Sequence, residues 1–325
     1  MRKFLLFLTI LALGAAVLFY AKLQSDWSAD GPLAEAQAVI IPEGSSQTAA
    51  ARLLAERGVL GDDVERFILL SRLFGEAAPI RAGEFEFPAR VSAAGVLDIL
   101  QNAQPVQRWI TIPEGLPAVL VHERLMEADF LTGSVEVPKE GSVLPNTYDY
   151  ERNETRAAVL ARMQAAMTET LAELWAKRSP DAVVRTPEEA VILAAIVEKE
   201  TGTAEERPMV AGVYTNRLKL GMKLQADPTI FYLKTKGRPL GRRILQSEID
   251  EVNGYNTYSM TGLPAGPITN PGRESIAAVL NPAETDALYF VADGTGGHAF
   301  ARTLAEHNAN VAKWYAIRRE RGEMD

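Results

Sequence analysis

One predicted helix near the middle of the chain constrains the fold more than any other segment. Thr186 is followed by Pro187 and Glu189, a sequence typical of a helix start, in which threonine caps the helix and proline takes its first position. The seven apolar residues Val191–Val197 come next. Because a helix that is apolar on every side must be buried, this segment, which we expect to run to about Thr201, predicts the core of a domain.

The predicted core helix ends in an acidic side chain. Glu198 follows the apolar run directly, and the small residues Ala194 and Ala195 on its face leave room for a ligand. A carboxyl group in apolar surroundings is hard to ionise, so it can stay protonated near neutral pH and act as a general acid. Glu200 points to another side of the helix, which excludes a directly paired carboxylate. A buried glutamate neutralised by Lys or Arg is the alternative interpretation of Glu198.

The segments after this helix have the composition of a polar cleft. Residues 224–272 are rich in Gly, Pro, Asn and Tyr, and such loops on a rigid scaffold are where functional residues concentrate. We therefore expect a ligand site formed by polar side chains near Glu198. The candidates in this stretch and the helix before it are Asn216, Arg217, Gln225, Asp227, Tyr232, Asn256 and Tyr258.

Composition narrows the classes of function. The 325 residues carry a net charge of −8, whereas nucleic-acid binding needs clustered Lys and Arg, so no nucleic-acid partner is expected. There is no cysteine, which excludes disulfides, thiolate zinc sites and cysteine nucleophiles. His122, His298 and His307 lie far apart in sequence, so no metal site is predicted. The chain has no glycine-rich phosphate loop, and no cofactor is expected.

The N-terminus predicts a membrane anchor. Arg2 and Lys3 precede Phe4–Ala21, an uncharged run of about 18 residues, near the short limit for a bilayer span. Positive residues before the span place the N-terminus in the cytoplasm and the rest outside. A cleaved signal peptide is the alternative, but no small-residue cleavage site follows the run directly. We expect an uncleaved anchor over residues 1–21 and a linker over 22–37. Two aromatic residues predicted to lie at the interface are Tyr20 and Trp27.

A short repeat occurs in the first half of the chain. Val39–Gly44 (VIIPEG) returns as Ile110–Gly115 (ITIPEG), and each copy predicts a strand, a Pro-Glu-Gly turn and a helix. We interpret this as an old duplication, with chance recurrence as the alternative. Ser46 or Thr48 is expected to cap the first helix. Residues 36–105 then make a small α+β unit without an obvious reactive cluster, which suits a binding module.

Helix-capping residues and the alternation of apolar and polar residues predict the boundaries of further helices and strands. We expect a long helix over Arg156–Ala176 and a capping box over Thr203–Glu206 that opens the helix after the core helix. Near the C-terminus, Leu288–Ala292 reads as a strand, the glycines of Gly294–Gly297 as a turn, and the residues from His298 as a returning strand. This pattern predicts a β-hairpin.

Short motifs in a fixed order cover about residues 110–310. They are Leu144–Tyr148 (LPNTY), Ile196–Thr201 (IVEKET), Asn216–Leu218 (NRL), Gly221–Thr229 (GMKLQADPT), Tyr255–Tyr258 (YNTY), Gly262–Ile268 (GLPAGPI), Asn281–Pro282, Tyr289–Val291, Gly297–His298 and Glu306–Asn308. With these motifs the chain resembles the YceG-like family of endolytic murein lytic transglycosylases. Two positions depart from the usual family pattern: Asn146 stands where an acid is common, and Ala265 where a second proline is common.

The resemblance implies an enzyme. Its reaction is cleavage of the peptidoglycan strand between N-acetylmuramic acid and N-acetylglucosamine, leaving a 1,6-anhydromuramic end without addition of water. The catalytic glutamate of the family is the first of the Glu-Lys-Glu motif, which is Glu198 here. The polar side chains Gln225, Asp227, Asn256 and Tyr258 become candidates for holding the sugar, and Tyr232 for stacking on it. Further substrate-binding candidates are Asn216, Arg217 and Glu200.

The resemblance also implies an architecture and a location. The expected fold is α+β, with the anchor over 1–21, the linker over 22–37, a LysM-like subdomain over 38–105 and a catalytic domain over 106–325. The expected location is the cytoplasmic membrane, crossed once, with the bulk of the chain outside. Glycan strands are the expected partner, together with peptidoglycan synthases of the penicillin-binding class, and the expected role is to terminate elongation of nascent strands.

Two other classes of function stay open on sequence grounds. One is a non-catalytic peptidoglycan-binding protein that scaffolds synthases, which a Glu198 variant with full function in cells would favour. The other is a pyridoxal-phosphate lyase acting on a chorismate derivative. Lys199 could form its Schiff base, although an ion pair of Lys199 with Glu200 or another acid is the favoured interpretation. Visible absorbance by a cofactor would support the lyase, and the predicted extracellular location argues against it.

Overall fold

The N-terminal apolar segment forms helix α1 (Arg2–Ser28) in the computed structural model, which describes residues 2–323. The helix is long and apolar enough to cross a membrane, a test that signal sequences also pass. Its last two turns lie against folded protein, since Trp27 is 6% exposed and its ring lies 5.8 Å from that of Phe67. The predictions of a linker from residue 22 and of an interfacial Trp27 are therefore wrong, because Trp27 is a core residue.

The chain divides into two compact units. The first consists of the residues up to Arg108 together with Asp149–Asn153. After α1 its elements are β1 (Gln37–Ile41), α2 (Gln47–Glu56), α3 (Val64–Phe74), β2 (Gly83–Phe87) and α4 (Ala93–Asn102). β1 and β2 pair antiparallel, with Val39 opposite Phe85. Alternate side chains of both strands are buried under the helices, which is the α+β arrangement that the sequence predicts.

Local capping signals place the helices of the first unit. Ser46 accepts a hydrogen bond from the backbone N–H of Ala49, as predicted, and Ser92 caps α4 in the same way through the N–H of Gly95. Among the described residues of the first unit one acid is buried, Glu84, and it accepts hydrogen bonds from Arg108 and Arg152. Burial alone raises the pKa of Glu84, but the hydrogen bonds from the two guanidinium groups lower it below its usual value.

The second unit consists of Trp109–Tyr148 and the chain from Glu154 onward. Its first helix is α5 (Ala118–Glu127), and the division between the units falls within two short paired strands, β3 (Arg108–Thr111) and β4 (Thr147–Tyr150). The helices that follow are α6 (Arg156–Ala176), α7 (Pro187–Glu200), a 3₁₀ turn (Ala204–Glu206), α8 (Arg207–Lys219), α9 (Asp227–Thr235), α10 (Gln246–Ile249) and α11 (Arg273–Leu280). The last elements are β5 (Tyr289–Ala292), β6 (His298–Ala301) and α12 (Leu304–Glu320).

Helix α7 forms the core of the second unit, as predicted. The hydroxyl of Thr186 accepts from the backbone N–H of Glu189 at 3.2 Å, and the Glu189 carboxylate accepts from the N–H of Arg185 at 2.6 Å. Leu193 and the residues from Ala194 to Val197 are completely buried against α6, α8 and α11. The helix therefore presents its last turn, with Glu198 and Glu200, from a rigid position.

Two other predictions have opposite outcomes. The hairpin is confirmed, since β5 pairs antiparallel with β6 and Ala292 lies opposite His298. The capping box at Thr203 is wrong, because the Thr203 side chain makes no capping hydrogen bond. The carboxylate of Glu206 instead accepts from the backbone N–H and the Nδ1 of His298, at 2.8 and 2.7 Å. Glu206 therefore bonds to His298, which is distant in sequence, and does not form the capping box with Thr203.

Candidate active site

The carboxylate of Glu198 meets the N-terminus of helix α11. Its Oε2 accepts hydrogen bonds from the backbone N–H of Gly272 at 2.9 Å and from the Ser275 hydroxyl at 2.7 Å. The Glu198 side chain is 6% exposed. The first N–H groups of a helix lack intrahelical partners, and the helix dipole favours negative charge there. The part of α7 that precedes Glu198 is apolar, as predicted, but hydrogen-bond donors surround the Glu198 carboxylate itself.

A guanidinium group links Glu198 to a second acid that the sequence analysis missed. Arg207 Nη2 donates to Glu114 Oε2 at 2.7 Å and lies 3.6 Å from Glu198 Oε1. The Arg207 side chain is mostly buried, whereas Glu114 is about half exposed. Arg207 is therefore shared between the two carboxylates and lies closer to Glu114. The only sequence signal for Glu114 is its place in the second Pro-Glu-Gly turn.

Two glycines allow these groups to come together. A Cβ on Gly272 would lie 2.1 Å from Glu114 Oε1, so a side chain there requires Glu114 to move. Gly115 has φ of +70°, and a Cβ on it would lie 3.4 Å from the Cγ of Glu198. The backbone of the second Pro-Glu-Gly turn thus covers one side of the Glu198 side chain.

Glu200 points to another side of α7, as the spacing predicts. Its carboxyl group is buried, and burial raises its pKa. Burial raises the pKa of Glu200 to about 8, and the negative charge of Asp227 adds to this, while the Asp227 N–H and Arg217 oppose it. The Oε1 of Glu200 is buried without a hydrogen-bond partner among the described residues. Burial therefore favours the neutral form of Glu200, two residues beyond Glu198.

Three of the predicted substrate contacts gather near Glu200. Asp227 accepts from the hydroxyl of Tyr258 at 2.6 Å, and both Asp227 and Gln225 are exposed. Gln225 adopts φ of +54° and contacts the guanidinium of Arg217 through its Oε1 at 3.4 Å. Gln225, Asp227 and Tyr258 thus form one polar patch next to the end of α7.

Two predicted contacts hold the scaffold. Arg217 donates to the backbone oxygens of Leu288 and Leu224 at 2.7 Å each, and is 7% exposed. Asn216 donates to the oxygens of Thr285 and Ala287. Both side chains tie α8 to the chain around β5. We therefore assign them a structural role in place of the predicted contact with substrate.

Tyr232 and Asn256 are also buried. Asn256 is 0% exposed, and its amide donates to the backbone oxygens of Glu248, Ile249 and Glu251. Tyr232 is 7% exposed, and its ring packs 4.8 Å from that of Tyr255. An aromatic ring stacks on a sugar only through an open face, so this arrangement corrects the predicted stacking role of Tyr232.

Sequence analysis also missed Glu140, the partner of Tyr232. Glu140 accepts from the Tyr232 hydroxyl at 3.1 Å and from the backbone N–H of Ala118 at 2.7 Å. Burial raises its pKa to about 6, although both hydrogen bonds lower it. A groove of about 630 Å³ runs past Glu140 and Ile192. A second cavity of about 380 Å³ lies between Glu200, the glycines of the β5–β6 turn and Trp314.

Comparison with known proteins assigns the chain to a family. The chain belongs to the YceG-like family, whose sequence model matches residues 39–313. A Bacillus subtilis protein named endolytic murein transglycosylase is 32% identical over 193 residues, covering 59% of this chain and 52% of the relative. A Streptococcus pneumoniae (strain D39) protein of the same name is 27% identical over an alignment of 363 residues, covering 96% and 64%. The chain thus spans between half and two thirds of these relatives.

A solved structure is similar in fold. The crystal structure of a YceG-like protein from Listeria monocytogenes superposes with a TM-score of 0.53 at 25% sequence identity, covering 85% of this chain and 99% of that one. The predicted α+β fold of the YceG-like type is thereby confirmed.

Proposed function

We propose that the protein is an endolytic lytic transglycosylase that cleaves the β-1,4 bond between N-acetylmuramic acid and N-acetylglucosamine. The observation that carries the proposal is the position of Glu198, a nearly buried carboxylate on a rigid helix, held by Gly272, Ser275 and Arg207. The names of the two relatives support the reaction class.

In the proposed mechanism Glu198 acts first as acid and then as base. The protonated carboxyl group gives its proton to the bridging oxygen, and the bond from that oxygen to C1 of the muramic sugar breaks. The sugar's own 6-hydroxyl attacks C1 and forms the 1,6-anhydro bond, while its proton returns to Glu198. Because the attacking hydroxyl belongs to the same sugar, proximity favours it over water. One carboxyl group therefore suffices where hydrolysing glycosidases use two.

The surroundings of Glu198 suit a group that alternates between two protonation states. The Gly272 N–H and the Ser275 hydroxyl stabilise the carboxylate formed after proton transfer. Arg207 would hold that carboxylate too firmly if it paired with Glu198 alone. Its closer hydrogen bond to Glu114 withdraws part of that stabilisation. We therefore propose that Glu114 and Arg207 are positioning residues for the reaction.

The product distribution tests this function. Purified sacculi are digested with the wild-type protein and with Glu198→Gln, and the released muropeptides are analysed by mass spectrometry. Fragments with 1,6-anhydro ends, released from within strands by the wild type only, are the expected result. Reducing ends without the anhydro bond would show hydrolysis and overturn the proposal.

For the first unit we propose a LysM-like role in glycan binding without chemistry. Its buried acid, Glu84, is held by two guanidinium groups and is not free to transfer a proton. We further propose that α1 anchors the chain in the cytoplasmic membrane with the rest outside, where it acts on nascent strands beside the synthases. A variant lacking residues 36–105 is expected to bind sacculi more weakly. Release of anhydro-ended fragments by the first unit alone would contradict this division of labour.

A further inference from the structure

Helix α3 lies antiparallel along the last two turns of α1. Two aromatic pairs fix the alignment: Tyr20 with Phe74, whose ring centroids are 5.4 Å apart, and Trp27 with Phe67 at 5.8 Å. The members of the two pairs are seven residues apart on both helices, which corresponds to about 10 Å of helix. An ion pair between Asp26 and Arg66 supports the same alignment. The C-terminal end of α3 is therefore level with Tyr20.

Tyr20 is the next-to-last residue of the uncharged run of α1. Residues 4–21 are exposed along their length, and burial begins only at Leu23 and Trp27. When α1 spans a bilayer, about 27 Å of helix lies within a hydrocarbon core of roughly 30 Å, so Tyr20 reaches the edge of that core. Phe74 is then at the edge as well, because it contacts Tyr20.

The outer face of α3 at this level is apolar. Leu69 and Leu73 stand one turn apart on the same face, and they are 54% and 55% exposed. Leu73 is adjacent to Phe74 and thus level with the headgroups, and Leu69 is about 6 Å further out. On α3 itself, Arg72 and Glu76 are exposed at this end, and their opposite charges offset each other. Contact through this face is therefore apolar rather than electrostatic.

We propose that the C-terminal end of α3, through Leu73 and Leu69, is a lipid-docking surface that holds the first unit against the outer face of the membrane. This inference rests on the proposed membrane span of α1. A helix fixed at one end by a span and at its side by apolar lipid contact cannot swing freely. The first unit is thereby held in one orientation close to the membrane surface.

Fluorescent labelling tests the proposal, because the chain contains no cysteine and each introduced cysteine is unique. The full chain is reconstituted into vesicles of phosphatidylethanolamine and phosphatidylglycerol. It carries an environment-sensitive dye at Leu73→Cys, at Phe7→Cys within the span, or at Glu65→Cys. Glu65 is the matched control, since it is exposed on α3 but about 12 Å further from the membrane than Leu73. Lipid spin labels high or deep on the acyl chain then serve as quenchers.

The expected result is strong quenching of Phe7→Cys by the deep label and severalfold stronger quenching of Leu73→Cys than of Glu65→Cys by the shallow label. The signal at Leu73→Cys should not depend on salt, because the contact is apolar. Quenching at Phe7→Cys with equal, weak quenching at positions 73 and 65 would overturn the docking surface and leave the span intact. Absence of quenching at Phe7→Cys would show that α1 does not span the bilayer, and it would overturn both the proposed span and the docking surface.

Discussion

The two Pro-Glu-Gly turns have nearly the same backbone and different surroundings. Gly44 and Gly115 adopt φ of +75° and +70°, and each turn joins a short strand to a helix. In the first unit the turn is at the surface, Glu43 is exposed, and a Cβ on Gly44 would meet nothing within 4 Å. In the second unit Glu114 holds Arg207, and Gly115 lies against Glu198. The same motif therefore forms the same turn, and its neighbours decide whether it takes part in a site.

The largest effect is expected for Glu198→Gln. Glutamine keeps the size and can accept the same hydrogen bonds, but it cannot deliver a proton. General acid–base catalysis is worth about 10²- to 10⁴-fold, so release of anhydro-ended fragments should fall by at least that order. Circular dichroism checks that the variant is folded. A folded Glu198→Gln variant with near-normal activity would contradict the mechanism.

The matched pair Glu114→Gln and Glu43→Gln tests the comparison of the turns directly. Without the charge of Glu114, Arg207 loses its closer partner and is expected to move toward Glu198, which disturbs the position of the catalytic carboxyl group. Activity should fall about tenfold. Glu43→Gln should leave the activity unchanged. Equal behaviour of the two variants would show that the second turn is as passive as the first.

Gly272→Ala should also lower the activity, in this case through a steric clash with Glu114. Its Cβ displaces Glu114, so activity should again drop by about tenfold, and the double variant with Glu114→Gln should lose little more. Gly61→Ala in the first unit, where a Cβ meets nothing within 4 Å, is the control. Additive losses in the double variant would mean that Gly272 acts independently of Glu114, for example through its N–H to Glu198.

Glu200→Gln should cost less activity than Glu198→Gln and should stabilise the fold at alkaline pH. The pKa of Glu200 is about 8 in the folded state against 4.5 for an ordinary glutamate, so the folded protein binds the proton more tightly. Its contribution to stability is full below about pH 4.5 and is lost as pH rises toward 8. The melting temperature of the variant should exceed that of the wild type at pH 8–9 and match it near pH 4. Each kcal/mol of difference in the free energy of unfolding corresponds to roughly 2–4 °C in melting temperature. The same difference at both pH values would show that Glu200 is not buried neutral.

Local signals predict much of the fold because they act within a few residues. The helix over Arg156–Ala176, the start of α7 at Thr186 and the β5–β6 hairpin are confirmed, since caps, apolar periodicity and glycine turns need no distant partner. Thr203 shows where this fails. Its capping box is present in sequence, but Glu206 finds a stronger partner in His298, 92 residues away.

The candidate site divides in the same way. Glu198 is predictable, because an apolar run and a family motif both end there. The burial of Tyr232 and Asn256 is not predictable, because a tyrosine or an asparagine in a loop has the same local pattern whether it faces solvent or the core. Glu114 and Ser275, which approach Glu198 from 84 and 77 residues away, leave no signal near it.

By itself the sequence determined the core helix, the direction in which Glu198 and Glu200 diverge, the repeated turn and the family. These depend on helical spacing, backbone preferences and ordered motifs, which are properties of neighbouring residues. Only the tertiary structure decided that Glu200 is buried and has a raised pKa, which turn joins the site, and that Trp27 belongs to the core. Protonation and packing depend on the dielectric, charges and surfaces contributed by distant segments, and those segments come together only when the chain is folded.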